Sequence, residues 1–197
     1  MTSTKHTYQN DLSATESKWF AVLTRVKAEK MVACLLADRK ISVYLPLQKI
    51  TKVYTRKKRT SLIPLMYRYV FVHITQPQYV QVLETPHVEG FIRFNKNLLS
   101  IPDFEIEWLQ RVTGEQADIA LEHRPFSAGD KVRVVYGNLT GLVGKLIKSL
   151  GKNELLVELE HIGIGLRIQI DPSHLELMTP GKYKDSESTS KSRYSFV

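Results

Sequence analysis

The sequence predicts an α+β protein in two parts: an α/β sandwich, built from an antiparallel sheet with flanking helices, then a small C-terminal five-stranded β-barrel. Three observations predict it. Residues 18–114 alternate strand-like and helix-like patterns in the order β-α-β-β-β-α-β-α, which suits a sheet covered by helices. Residues 129–178 change to short strands at roughly ten-residue spacing. The stretch between them, 115–128, has no clean period, contains Pro125 and reads as a linker.

Each element has its own warrant. Residues 1–17 are polar, poor in large apolar side chains and expected to be a disordered tail. "KWFAVLT", 18–24, is rich in aromatic and β-branched residues and reads as a strand. "VKAEKMVACLLADRK", 26–40, places Ala28, Met31, Val32, Leu35 and Leu36 on one helical face, with Arg39 and Lys40 where cations suit the helix dipole. Cys34 lies in this pattern and is expected to be a small buried residue. "ISVYLPL", 41–47, and "KITKVYTRKKRTSLI", 49–63, read as two strands of a basic hairpin. "YRYVFVHI", 67–74, is the most strand-like segment. A short helix is expected over 76–84, with Pro77 in its first turn, and a strand over 88–94. A helix follows over 100–114: Ser100 can cap it, Gly114 ends it, and Ile101, Phe104, Trp108, Leu109 and Val112 form its apolar stripe.

In the second part "DKVRVVY" alternates as a half-buried strand should, and "GNLTG" supplies a turn. Gly137, Gly141 and Gly144 suit tight corners, since glycine tolerates positive φ and close backbone approach. "LVGKLIKSL", "ELLVELE", "GLRIQI" and "HLELM" complete five short strands in 50 residues, the scale of an SH3-like barrel. Residues 179–197 form a polar tail, and there is no internal repeat.

Charge is segregated. The chain carries net +8, but residues 18–100 hold 15 Lys/Arg against 4 Asp/Glu, while 125–179 are balanced at 6 against 6. A concentrated positive field attracts polyanions, most commonly nucleic acid, although a solvated basic face would look the same. Catalysis is not expected. The six histidines have no metal-ligand spacing, no phosphate-binding glycine loop precedes a helix, and Asp103, Glu105 and Glu107 suit a helix start. No cofactor is expected. One cysteine excludes an internal disulfide, and no signal peptide or apolar span of membrane length is legible, so a cytoplasmic protein is expected.

The stretch 129–144 resembles the KOW motif, shared by NusG/Spt5 transcription factors and some ribosomal proteins. "WFAVLTRVKAEKMVACL" looks like the opening strand and helix of the NusG N-terminal domain, and "VYLPLQKI" like its next strand. "PLMYRYVFVHI" resembles the signature usually written Phe-Pro-Gly-Tyr-Val-Phe-Val, and "TPHVEGFIRF" and "IPDFEIEWL" follow in order. Here Met66, Tyr67, Arg68 and Tyr69 stand in place of Phe-Pro-Gly-Tyr, so an arginine replaces the glycine. With the "YLPLQK" and "KKRTSLIPL" spellings, this looks most like a specialised paralogue of the UpxY antiterminator type.

The resemblance implies a monomer with no membrane association, acting on transcription elongation, pausing and termination. One surface would dock on the clamp helices of the largest RNA polymerase subunit, through Leu23, Met66, Tyr67, Tyr69, Phe71, Phe94, Ile106 and Leu109. About half of these eight are expected to be core only, with Tyr67 and Tyr69 the better docking candidates because a phenol suits a site with one wet edge. A second surface would contact upstream or non-template DNA through Arg25, Lys27, Lys30, Arg68 and the run Arg56, Lys57, Lys58 and Arg59. The barrel would recruit a partner through Ile162 and Gly163, such as ribosomal protein S10. An aromatic is usual at that loop in the housekeeping factor, so the contact with Rho does not carry over. Two other readings remain at this point: a housekeeping NusG-type factor, and a KOW-containing, ribosome-associated RNA-binding protein.

Overall fold

A computed structural model describes residues 8–55, 57–94, 96–114, 119–122, 130–149, 152–159 and 164–178. Chain order is β1 (Lys18–Thr24), α1 (Glu29–Asp38), β2 (Ser42–Tyr44), β3 (Leu47–Tyr54), β4 (Lys57–Pro64), β5 (Tyr69–Ile74), α2 (Tyr79–Leu83), β6 (Val88–Phe91) and α3 (Asp103–Gly114). Then follow β7 (Ile119–Glu122), β8 (Asp130–Val134), β9 (Val143–Ser149), β10 (Lys152–Leu159), β11 (Ile164–Gln169) and β12 (Leu175–Leu177). Mixed α/β architecture with antiparallel sheets is thus what the chain forms.

The first sheet has strand order β2-β5-β1-β6, all antiparallel. Its central strands bury both faces because their side chains alternate. Phe20, Val22, Val70, Val72 and Ile74 share one cluster with Val32 and Leu36 of α1 and Val82 of α2. Ala21 and Phe71 face the other way, into a cluster with Ile106, Leu109 and Val112 of α3. Arg39 fastens α2 beside the end of α1, donating from its guanidinium to the Gln81 carbonyl (2.8 Å) and the Thr85 hydroxyl (3.0 Å).

The second sheet has order β12-β8-β9-β10-β11-β7. Strand β7 lies in the stretch read from sequence as a linker. It pairs with β11 from Ile119↔Ile168 to Glu122↔Gly165 and so covers an otherwise open edge.

Several local expectations change. The basic hairpin lies wholly within 47–64: β3 and β4 pair with each other from Leu47↔Pro64 to Tyr54↔Lys57, while β2 joins the main sheet. One strand of fifteen residues would have outrun the sheet. Cys34 is exposed, on the side of α1 away from Val32 and Leu36, so it is not the buried residue expected. Met31 is exposed with it. Ser100 does not cap α3: its backbone N–H and hydroxyl both donate to Asp11 (2.9 and 3.2 Å). That bond belongs to an ordered run where disorder was expected, because Asp11 N–H donates to Leu98 O, Leu98 N–H to Gln9 O and Gln76 N–H to Ser13 O. Backbone hydrogen bonds to Leu98 and Gln76, and Leu12 packed against the core cluster of Phe20 and Val22, hold this run in place.

Tyr44 ties β2 to the end of α3 through a hydrogen bond to the Thr113 hydroxyl (3.0 Å). Burial pushes its phenol up to about 12, against a smaller lowering by that bond. An unfolded tyrosine ionises near 10, so this contribution is complete below pH 10 and is lost as pH rises through the folded value. The expected loss is roughly 2–3 kcal/mol across that window. Tyr44→Phe should lack this loss while giving up about 1 kcal/mol at neutral pH with the Thr113 bond. Urea unfolding of both proteins at pH 8 and pH 11.5 checks it, and a stability gap that stays constant with pH would refute it.

Candidate functional site

Three loops meet at one end of the first sheet. Thr24 N–H donates to Arg68 O (2.8 Å) and Arg25 N–H to His87 O (2.9 Å). Each loop holds a non-glycine residue at positive φ: Lys27 at 63°, Arg68 at 68° and His87 at 69°. This conformation costs a β-carbon about 1–2 kcal/mol, so something must hold it. At Arg68 the holding groups are visible. Its backbone N–H donates to the buried Glu29 carboxylate (2.7 Å), its Nε to Thr24 O (3.1 Å), and its guanidinium pairs with Glu89. The position where the resembling pattern carries glycine therefore keeps glycine-like backbone, stabilised by three acceptors. Arg68's charge is engaged by Glu89, whereas Arg25 and Lys27 beside it are exposed.

Two kinds of surface adjoin this end. The first is aromatic. Tyr67 is 68% exposed, while Met66 beside it is buried. Leu23 pairs with Tyr69 across β1 and β5, and both are half-buried. Of the other candidate docking residues, Phe71, Ile106 and Leu109 are buried and Phe94 is half-buried. An exposed phenol can bury its ring against a partner while its hydroxyl stays wet.

The second surface is cationic. Lys30, on α1, donates from Nζ to Leu62 O (2.5 Å) and so ties the helix to β4. Lys57, Lys58 and Arg59 are exposed on the hairpin, which is joined by strand pairing to no other strand. Arg56, Ile162 and Gly163 lie outside the described residues. Among the described residues, no three His, Cys, Asp or Glu side chains gather as a metal site requires, and no helix is long and apolar enough to cross a membrane.

Sequence reading missed three participants. Glu89 had no local signal, since its partner is 21 residues away. Lys52 was overlooked although strand alternation places it opposite Arg59. Arg111 of α3 reaches the second sheet: its Nε donates to Asn138 O (2.9 Å) and one terminal nitrogen to Asn138 O and Thr140 O (2.5 and 2.7 Å). Leu139, between those carbonyls, is buried in the same cluster as Ile106 and Leu109.

Fold and surfaces together are those of an α/β domain that presents an exposed tyrosine and a cationic ribbon, with a second β-sheet against α3. Comparison with known proteins bears on the first part of the chain. Residues 17–110 match the family described as NusG, transcription termination factor nusG. Among solved structures, the chain is similar to that titled "Domain interaction in Thermotoga maritima NusG", at 20% identity and TM-score 0.53, covering 85% of this chain and 100% of that one. Two conformations of an MjSpt4:Spt5 complex also match. Conformation A has 22% identity, TM-score 0.30 and coverage of 82% and 98%; conformation B has 24%, 0.31, and 85% and 99%. No curated protein matches the chain significantly.

Proposed function

We propose that the protein is a transcription elongation and antitermination factor, specialised for particular operons such as polysaccharide gene clusters, and not an enzyme. The observation that carries this reading is the match of residues 17–110 to the NusG family. In this reading the edge formed by Tyr67, Tyr69 and Leu23 docks on the clamp helices of the largest RNA polymerase subunit. Such a helical tip binds through a few aromatic anchors in an apolar setting. Arg25, Lys27 and the hairpin cations contact upstream or non-template DNA through phosphates. The second sheet closes as an SH3-like KOW barrel, whose loop at Ile162 and Gly163 recruits a ribosomal partner. The mechanism is a population shift. A ligand that binds the elongating polymerase better than the paused one favours elongation, and no bond is made or broken.

The test is capture of core RNA polymerase by the full chain at low and moderate salt. Wild type should retain polymerase. Tyr67→Ala should lose most of it, and a variant with Lys57, Lys58 and Arg59 changed to alanine should keep most of it. Recovery of ribosomal subunits without polymerase would overturn the reading in favour of a ribosome-associated protein.

A further inference from the structure

The hairpin has two faces, and strand register assigns its cations to them. Directly opposed residues share a face, and faces alternate along the ribbon. Lys52 stands opposite Arg59, and Lys57 is on the same face two pairs further toward the tip. Lys49 and Lys58 are on the other face, opposite Leu62 and Val53. All five cations are exposed. Residues 39–83 contain no Asp or Glu, and among the described residues no ion pair reaches any of the five. Like charges placed directly opposite are destabilising in an antiparallel pair, as Lys52 and Arg59 are. The ribbon therefore lacks an internal neutraliser for either face.

We infer that this ribbon enters a groove of duplex nucleic acid, so that Lys52, Lys57 and Arg59 neutralise phosphates of one strand and Lys49 and Lys58 those of the other. The inference rests on the nucleic-acid contact proposed above and specifies its form. A single strand lying along one face leaves the opposite cations unneutralised, whereas a groove has an anionic wall on both sides. Size agrees: the major groove of B-DNA, about 12 Å wide, admits a two-stranded β-ribbon. Cations two residues apart on one strand stand about 7 Å apart, close to the spacing of successive phosphates along a nucleic-acid strand.

The test is fluorescence anisotropy of the full chain with a labelled mixed-sequence DNA duplex, its isolated single strand and an RNA duplex, across a salt series. One variant carries Lys52→Gln, Lys57→Gln and Arg59→Gln; the other carries Lys49→Gln and Lys58→Gln. Circular dichroism melting confirms that both fold. The wild type should bind the DNA duplex about tenfold or more tighter than the single strand. Each phosphate contact removed should flatten the log–log salt dependence by about 0.9. The three-residue variant should thus lose about 2–3 in slope and the two-residue variant about 1–2. Equal binding of single strand and duplex, or a two-residue variant with unchanged slope, would overturn the two-sided groove. Tighter binding of the RNA duplex would overturn the B-form groove assignment. These outcomes are separable from polymerase docking. Loss of duplex binding with polymerase capture intact counts against the ribbon alone, and duplex binding without capture counts against docking alone.

Discussion

Phe71→Ala is expected to lower stability by about 3–5 kcal/mol, the cost of emptying an aromatic site that cannot collapse. Phe71 has no exposed surface, lies on the middle strand pair, stacks 6.2 Å from Tyr44 and shares a cluster with Ala21, Ile106 and Leu109. A domain stable by about 5–15 kcal/mol would be left marginal, and polymerase capture would fall because the sheet opens. Phe71→Leu keeps the site mostly filled. It should retain capture, because a residue with no accessible surface makes no direct contact with a partner. Tyr67→Ala, by contrast, should move the unfolding midpoint by no more than about 0.5 kcal/mol, as exposed substitutions do. Denaturant unfolding and capture measured together on all three variants settle the matter. If Phe71→Leu unfolds like wild type yet loses polymerase, Phe71 is a docking residue after all.

Gly144→Ala is the second large effect, and it strikes the other sheet. A β-carbon there would sit 2.4 Å from Leu156 O and 3.0 Å from a Leu155 methyl. The carbonyl is backbone within β10, which pairs with β9 from Lys152↔Ser149 to Leu156↔Lys145, so it cannot swing aside as a side chain could. The expected cost is at or above the top of the usual overpacking range, about 3 kcal/mol. Gly137→Ala and Gly141→Ala meet open space but force a side chain onto φ of +81° and +89°. Their expected cost is smaller, about 1–2 kcal/mol. Urea unfolding of the three variants should rank Gly144→Ala as the most damaging. Equal midpoints for wild type and Gly144→Ala would show that the strands separate freely at this point.

These glycines show how far the primary structure could be read. Three glycines in eight residues announced a strand, a turn and a strand. They did not announce that two serve a left-handed backbone and the third a close approach between strands. That distinction depends on what lies across β10, twelve residues further on. The same holds around residue 67. "YRYVFVHI" read as a strand, not as one covered on both faces. Whether Met66, Phe71, Ile106 and Leu109 stay exposed depended on their joining one buried cluster, which leaves Tyr67 as the exposed member.

Read alone, the sequence determined what is local or additive: the first strand and helix, the strand around residues 69–74 and the helix before residue 114, the basic field over 18–100, and the aromatic signature around residue 67, but not the split of 42–64 into three strands. Periodicity and charge are carried by neighbours along the chain, so they survive without coordinates. Tertiary structure alone decided the partners. It placed Glu29 under Arg68, brought Glu89 to the guanidinium, laid residues 9–13 beside Leu98 and Gln76, and set Arg111 against the carbonyls of Asn138 and Thr140. Each of these contacts joins residues more than twenty positions apart. No local pattern encodes them, because burial and partnership depend on which surfaces the folded chain brings together.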